Sequence, residues 1–187
     1  MIIIPNYDFR IKQLEDRVSF LEEKTDNVYF AAAVLEDVFI NEDEQNPSFF
    51  PNMQLVSVNK VSLEDSATGT FKNESGRVVE YMEGSLSFQP NKSGGGVSIL
   101  KLISERSFDG VNWVGNLNSL RSIEVPNNGE SFNTVISVLL DWQPDELIRF
   151  RCYNSTNPNM VFEVPTDNIL NQNFEGPSMY WTLHEMK

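Results

Sequence analysis

The first part of the chain carries apolar residues at alternating spacings of three and four. With Ile4 as the first position of a heptad, the first and fourth positions are Ile4, Tyr7, Ile11, Leu14, Val18, Leu21, Thr25 and Val28. A period of 3.5 residues, sustained in this way, is typical of a helix that packs against another helix. Only Thr25 is polar, and Pro5 suits the first turn of such a helix. The pattern predicts a short coiled coil within the first 27 residues.

Charged residues flank this predicted seam on both sides. The positions just before each heptad are basic (Arg10, Arg17, Lys24), and those just after the fourth position are acidic (Asp8, Glu15, Glu22). In a parallel coil these two sets would pair between neighbouring chains, and each exposed pair contributes only about 0.2–1 kcal/mol. Their main effect is therefore on orientation, which we expect to be parallel. The alternative is a helix that folds back on its own domain, which would usually show a wider apolar face.

One sequence pattern occurs twice in this segment: arginine, an apolar residue, two further residues, an apolar residue and glutamate. The two copies are Arg10, Ile11, Leu14 and Glu15, then Arg17, Val18, Leu21 and Glu22. The pattern resembles a short trimerisation signature of coiled coils. Isoleucine and valine at the first position with leucine at the fourth favour a dimer instead. We expect three chains, with these eight residues carrying trimerisation, because the resemblance described below also implies a trimer.

From about residue 28 the periodicity changes to short apolar or alternating runs separated by turn-rich clusters. The candidate strands are Val28–Val34, Met53–Val61, Val78–Met82, Ser85–Phe88, Val97–Ser104, Ser119–Val125, Thr134–Leu140, Leu147–Tyr153, Met160–Val164 and Met179–His184. Short strands at this spacing predict an antiparallel sandwich or barrel. The expected organisation is an anchor tail and coiled coil over residues 1–27, then a β-sandwich head over 28–187. Residues 28–40 could be a strand or a continued helix.

Composition and charge exclude several classes of function. The formal net charge of −13 argues against nucleic acid as a partner, because a phosphate backbone attracts a basic face. No apolar run approaches the ~20 residues that span a bilayer, so membrane insertion is not expected. Met1 to Pro5 is too short for a signal peptide and lacks a basic leader. The single cysteine, Cys152, rules out an intrachain disulfide and is expected to be buried.

The sequence offers no recognisable catalytic constellation. His184 is the only histidine, so a Ser-His-Asp or Cys-His site would have to use it. Gly94 to Gly96 lack the lysine and the serine or threonine of a phosphate-binding loop. His and Cys are too few for a metal-ligand cluster. We therefore expect no enzyme activity, no cofactor and no metal.

Three segments resemble the globular heads of tumour-necrosis-factor-like and complement-type trimers. Thr68–Phe71 is similar to a Thr-Gly-x-Phe that enters a middle strand of such heads. Val135–Phe150 resembles their strand, turn, strand segment, with Pro144 in place of the usual glycine. Phe174–Leu183 is similar to the closing Phe-x-Gly and last apolar strand. The resemblance implies a jelly-roll head, a homotrimer, and a last strand that packs near the threefold axis.

A further segment, Ser107-Phe108-Asp109-Gly110-Val111-Asn112-Trp113, resembles a hairpin of virion fibre and decoration proteins of tailed bacteriophages. In physical terms, Asp-Gly predicts a tight turn and Trp113 would cap an apolar face. The resemblance implies a homotrimeric head fibre or capsid-decorating protein, located in the virion and assembled in the host cytoplasm.

The N-terminal tail and the aromatic residues supply the expected contacts with partners. Ile2, Ile3 and Ile4 could add to a sheet edge of another virion protein, or could pack on their own coil. The alternative function is a receptor-binding tip for host surface glycans, with Trp113, Tyr153 and Trp142 as candidate contacts. Each of these aromatic residues could instead belong to the core. A third hypothesis, a cellular cytokine-like or complement-like module, would require a signal peptide.

Overall fold

The computed structural model describes residues 26–41, 45, 47–92, 98–125, 132–155, 160–164, 166–169, 172–175 and 177–186. The predicted coiled coil, with its trimerisation residues from Arg10 to Glu22, lies outside these ranges. So do the proposed anchoring residues Ile2, Ile3 and Ile4. These assignments, and the domain boundary after residue 27, stay predictions.

The described part of the chain consists almost entirely of β-strands. The sixteen strands are β1 (Tyr29–Val34), β2 (Val38–Ile40), β3 (Ser48–Phe49), β4 (Met53–Asn59), β5 (Val61–Asp65), β6 (Thr70–Asn73), β7 (Val79–Phe88), β8 (Pro90–Lys92), β9 (Ser98–Ser107), β10 (Val114–Val125), β11 (Phe132–Trp142), β12 (Leu147–Asn154), β13 (Met160–Phe162), β14 (Thr166–Ile169), β15 (Gln172–Glu175) and β16 (Met179–Glu185). Residues 29–34 and 38–40 are thus strands and not a continued helix.

Two antiparallel sheets form the body of the protein. The first has the order β11-β7-β16-β1-β4, and the second has the order β10-β9-β12-β6-β5, with β3 paired to β12. Consecutive strands pass from one sheet to the other between β3 and β4, β4 and β5, β6 and β7, β10 and β11, and β11 and β12. This alternation is the connectivity of a jelly roll. It confirms the prediction of a mainly β, antiparallel sandwich.

Aromatic side chains hold the two sheets together. Trp181 of β16 is fully buried, and its ring centroid lies 4.4 Å from that of Phe150 on β12. Phe30 of β1 stacks on Phe71 of β6 at 4.4 Å and meets Trp181 edge-on at 5.7 Å. Phe50 approaches Trp181 at 5.7 Å as well. Such pairs each add about 0.5–1.5 kcal/mol beyond the area that they bury.

The strand period of two residues decides which side chains enter this core. On β12, Ile148, Phe150 and Cys152 are buried, whereas Arg149 and Arg151 between them are partly exposed. Cys152 is fully buried, as predicted, and this burial raises the pKa of its thiol. The alternation therefore places two arginines side by side on the outer face of the second sheet.

Two of the predicted strand boundaries are wrong, for backbone reasons. Residues 79–88 form one strand and not two, and Gly84 lies inside it. Position 84 requires glycine because a Cβ there would stand 1.7 Å from the Thr182 carbonyl oxygen. Conversely, the predicted strand Met53–Val61 is two strands. Lys60 interrupts it with a positive φ of 57°, which the sequence does not signal.

A group of ion pairs fixes the start of the head. Arg77 forms an ion pair with the carboxylate of Glu185 and donates a hydrogen bond to the Asp26 carbonyl oxygen at 2.8 Å. Lys60 forms an ion pair with Asp26. The Glu185 backbone N–H donates to the Val28 carbonyl oxygen at 2.8 Å. Residues 26–28 are therefore attached to the end of the first sheet where β16 ends and β1 and β7 begin, and to the β4–β5 turn.

Candidate functional site

The loop of residues 108–113 joins β9 to β10 in the hairpin that its Asp-Gly pair predicts. Gly110 has a φ of +71°, a conformation that glycine adopts readily. The Asp109 carboxylate accepts hydrogen bonds from the backbone N–H groups of Val111 (2.9 Å) and Asn112 (2.8 Å), from the Asn112 side chain (2.6 Å) and from the Ser107 hydroxyl (2.9 Å). These bonds hold the pKa of Asp109 well below its ordinary value. The loop therefore has a defined shape of its own.

Trp113 attaches this loop to the second sheet. Its indole N–H donates to the Gly110 carbonyl oxygen at 3.0 Å, within the loop. The guanidinium carbon of Arg149 lies 3.8 Å from the centroid of its ring. A cation–π contact of this kind contributes about 0.5–2 kcal/mol. Trp113 thus caps a guanidinium face and not the apolar face that was predicted.

The contact continues along the sheet as a stack of alternating aromatic and arginine side chains. Arg149 also lies over Phe49 at 4.7 Å, and Arg151 lies over the same ring at 4.6 Å. The Glu105 carboxylate accepts from both arginines, at 2.7 and 2.9 Å. Arg151 also donates to the Pro47 carbonyl oxygen at 2.9 Å. We call Trp113, Arg149, Phe49, Arg151 and Glu105 the arginine–aromatic stack.

Sequence reasoning found one member of this stack and missed the others. The alternation along β12 could have shown that Arg149 and Arg151 share a face. Their partners lie about 40 or 100 residues earlier in the chain, on β9 and β3. Only the pairing of distant strands brings these side chains together, and the sequence does not specify that pairing.

The three aromatic residues considered as glycan contacts occupy different environments. Trp142 is fully buried and donates its indole N–H to the Glu146 carbonyl oxygen at 2.8 Å, so its assignment as a surface contact is wrong. Tyr153 lies within β12 and not on a loop. Trp113 is half-buried, with Arg149 against its ring, and its role as a ligand contact stays a prediction.

The outer face of the first sheet is built from small, uncharged side chains. Its central positions are Ala31, Ala33, Ser85, Ser87, Ser137, Tyr180 and Thr182, which are brought together by the strand register. None of these seven residues is charged, and the charged Glu83 stands at their border, opposite Ser137 and His184. Ser85 and Thr182 join their hydroxyls at 3.2 Å across β7 and β16. We call these seven residues the flat face.

One side of the sandwich exposes large apolar side chains. β10 and β11 are the edge strands of their sheets, and Asn116 of β10 donates to the Leu139 carbonyl oxygen of β11 at 2.9 Å. The exposed residues on the two strands, with their exposed fractions, are Val114 (64%), Leu117 (78%), Leu120 (39%), Val135 (69%) and Leu139 (42%). We call these five residues the apolar edge.

Titratable groups do not form a catalytic constellation in the part of the chain that the structure describes. His184 is exposed and stands opposite Tyr29 and Glu83 in the strand register. Within the same ranges, no group of three or more His, Cys, Asp or Glu side chains could hold a metal ion. No helix in these ranges is long and apolar enough to cross a membrane.

Comparison with known proteins gives only structural similarity. No protein-family model matches the sequence, and no curated protein sequence matches it. Among solved structures, the chain is similar to the globular domain of a zebrafish complement 1qA protein (12% identity, 83% of this chain and 94% of that chain, TM-score 0.43). It is also similar to Eiger TNF from S. frugiperda (8%, 86% and 92%, 0.47) and to murine APRIL at pH 5.0 (6%, 86% and 99%, 0.45). At these identities and TM-scores the likeness is loose and carries no argument about function.

Proposed function

We propose that this protein is a homotrimeric structural component of a bacteriophage particle, a head fibre or capsid-decorating protein without enzyme activity. Three jelly-roll heads would stand on a parallel N-terminal coiled coil. The apolar edge is the single observation that carries the proposal, because it requires a covering partner.

The apolar edge exposes five large aliphatic side chains to water. Its members include three side chains that are more than 60% exposed, Val114, Leu117 and Val135. Contiguous apolar patches on soluble proteins usually mark contact surfaces. Both edge strands have an irregular register, after Asn116 on β10 and after Leu139 on β11, which disfavours the addition of a further strand. A partner on this side would therefore contact the exposed side chains.

The flat face is a suitable partner for the apolar edge of another copy. The central part of a protein–protein interface is depleted of charged residues, as the flat face is. Its small side chains also allow a neighbouring strand to approach closely. The two surfaces adjoin, since Val135 of the apolar edge stands opposite Ser85 of the flat face, but they consist of different residues. Contact between the apolar edge of one copy and the flat face of the next is therefore heterologous. Such contacts generate a closed ring when the rotation between copies allows it.

The number of copies comes from the N-terminal segment. The two Arg-apolar-x-x-apolar-Glu copies favour three parallel helices, and a ring of three heads has the same symmetry. A short coil is marginal when isolated, because helix nucleation is costly. Packing of the heads against one another would stabilise it. The coiled coil and the packing of the heads would therefore stabilise each other in a trimer.

The phage setting rests on the resemblance of residues 107–113 and on the tail. Ile2, Ile3 and Ile4 would join a sheet edge on another virion protein. Deletion of residues 1–5 should give a trimer that no longer joins particles, measured by the protein content of purified virions. Incorporation of the truncated protein at the normal level would refute the anchoring role.

Two matched substitutions test the apolar edge directly. Leu117→Glu places a charge on the edge, whereas Val111→Glu places one on the 108–113 loop, at an almost identical exposure (78% and 77%). Light scattering over a dilution series gives the chain concentration at which the trimer is half dissociated. This concentration should be at least about tenfold higher for Leu117→Glu than for the unchanged protein, since burying an unpaired charge costs more than about 1.4 kcal/mol. Val111→Glu should dissociate as the unchanged protein does. Equal behaviour of the two variants would refute the edge as the interface.

A further inference from the structure

A groove opens where strands β2 and β3 diverge into different sheets. β2 pairs with β13, whereas β3 pairs with β12. The backbone N–H of Asn41, which follows β2, donates to the Ser48 hydroxyl of β3 at 2.8 Å and ties the two strands together. The groove has a volume of about 600 Å³, which is within the range of small-molecule sites. Its walls include Glu36, Asp37, Phe39, Pro47, Phe49 and Pro51.

Phe39 presents a large apolar surface to this groove. Its side chain is 72% exposed, while its neighbours Val38 and Ile40 are 1% and 3% exposed. The buried neighbours fix the strand, so the Phe39 ring is held outward by the alternation of β2. Phe49 lies on the opposite strand, and its ring is held by the two arginines of the arginine–aromatic stack. The apolar part of the groove is therefore preorganised.

Two carboxylate residues, Glu36 and Asp37, line the same groove as Phe39, and each carboxylate accepts one hydrogen bond. Glu36 accepts from the Asn52 side chain at 2.7 Å, and Asp37 accepts from the Val164 backbone N–H at 2.9 Å. Ser178 donates to the Glu36 carbonyl oxygen and holds its backbone. A carboxylate has about four acceptor positions, so both groups retain capacity for donors of a ligand. Groups that are already held in place lose little entropy on binding.

We propose that this groove binds one unit of a neutral sugar. A pyranose ring has an apolar C–H face that can lie on Phe39, and hydroxyl groups around its rim that can donate to Glu36 and Asp37. None of the described residues that line the groove is basic, and both charged ones are acidic. Anionic sugars would therefore be repelled. A basic peptide is the competing ligand, but a flat exposed ring bordered by fixed acceptors matches a sugar more closely.

The inference goes beyond the trimer proposal and does not rest on it, since the groove belongs to one head. Binding by a single groove should be weak, with a dissociation constant on the order of 1 mM for a ligand of about a dozen heavy atoms. Three grooves on one particle would strengthen attachment to a surface that carries many copies of the sugar.

The test is saturation-transfer NMR of the full chain with a panel of neutral methyl glycosides at about 10 mM, some tenfold above the expected constant. At least one glycoside should show transfer. Phe39→Ala should weaken its binding at least about tenfold, which corresponds to about 1.4 kcal/mol, because the variant removes the apolar surface on which the sugar ring lies. Phe108→Ala removes a matched phenylalanine, 68% exposed, from the 108–113 loop and should leave binding unchanged.

Three results would overturn the proposal. The first is that no glycoside of the panel shows saturation transfer. The second is that Phe39→Ala binds the glycoside as strongly as the unchanged protein does. The third is that Phe39→Ala and Phe108→Ala lose the same amount of glycoside affinity. Asp37→Asn keeps an acceptor oxygen and removes the charge, so sugar binding should fall only a few-fold and should not depend on salt. A Lys-containing peptide that binds in its place, with an affinity that falls steeply with salt, would assign the groove to the competing ligand.

Discussion

The two fully buried tryptophans differ in one respect that stability measurements can isolate. Trp142 donates its indole N–H to the Glu146 carbonyl oxygen at 2.8 Å. The indole N–H of Trp181 has no hydrogen-bond acceptor among the described residues. Both side chains have zero exposure. Replacing either by phenylalanine removes the same atoms, so the cost of the cavity is common to both variants to a first approximation.

The hydrogen bonds set the upper limit of the expected difference. Trp142→Phe loses one hydrogen bond, a net cost of about 1 kcal/mol, and the Glu146 carbonyl keeps a second donor, the Asn73 backbone N–H at 3.2 Å. Trp181→Phe removes an unsatisfied buried donor, which relieves about 1–3 kcal/mol, but it also weakens the aromatic contacts with Phe30, Phe50 and Phe150. The free energy of unfolding of Trp142→Phe should therefore be lower than that of Trp181→Phe, by at most about 2–4 kcal/mol.

Urea unfolding followed by far-UV circular dichroism measures this difference, with both variants at the same chain concentration because association would shift the midpoint. Equal stabilities within about 0.5 kcal/mol, or a less stable Trp181→Phe, would refute the reasoning. That outcome would mean that the Trp181 indole has an acceptor, such as an ordered water.

Three further predictions concern the sheet, the 108–113 loop and the start of the head. Gly84→Ala should destabilise the protein by more than about 3 kcal/mol in thermal or urea unfolding, because its Cβ would stand 1.7 Å from the Thr182 carbonyl oxygen. Gly115→Ala is the control and should be tolerated, because the atom nearest to its added Cβ is 3.5 Å away. The Asp109 carboxyl has a lowered pKa in the folded state, so its ionised form stabilises the loop above about pH 4 and this contribution is lost as the pH falls below that value; an NMR titration midpoint near 4 would contradict this. Glu185→Gln should lower the free energy of unfolding by about 2 kcal/mol, less than for a fully buried pair because its arginine partner is about one-third exposed; an unchanged urea midpoint would show that the ion pair contributes nothing.

The strands that could be predicted are those with a clear alternation of apolar residues. β12 and β16 were found within about one residue of their observed ends, because their buried residues recur at every second position. The candidate strands did not include β3, β5, β6, β8, β14 and β15, since runs of two to five residues carry little periodicity. Glycine usually weakens a strand, and the close approach at Gly84 that requires it is a property of the paired strands, not of the local sequence.

The candidate sites depended still more on distant contacts. Trp113 was singled out as part of the predicted hairpin of residues 107–113. Its partner Arg149 comes from β12, which reaches this loop only in the folded sheet. The sequence places Phe39 in a segment that could be helix or strand, so its exposure beside two carboxylates could not be foreseen. The exposure of a side chain depends on which other elements pack over it. For the short strand β2, the local sequence pattern does not show which elements these are.

The central claim is that three copies of the chain associate in parallel, and the mass of the particle in solution tests it most directly. Light scattering on the full chain at micromolar concentration should give about 64 kDa, three times the 21.4 kDa of one chain. A mass of 21.4 kDa, or of about twice that value, would contradict the trimer and with it the proposed pairing of the apolar edge with the flat face.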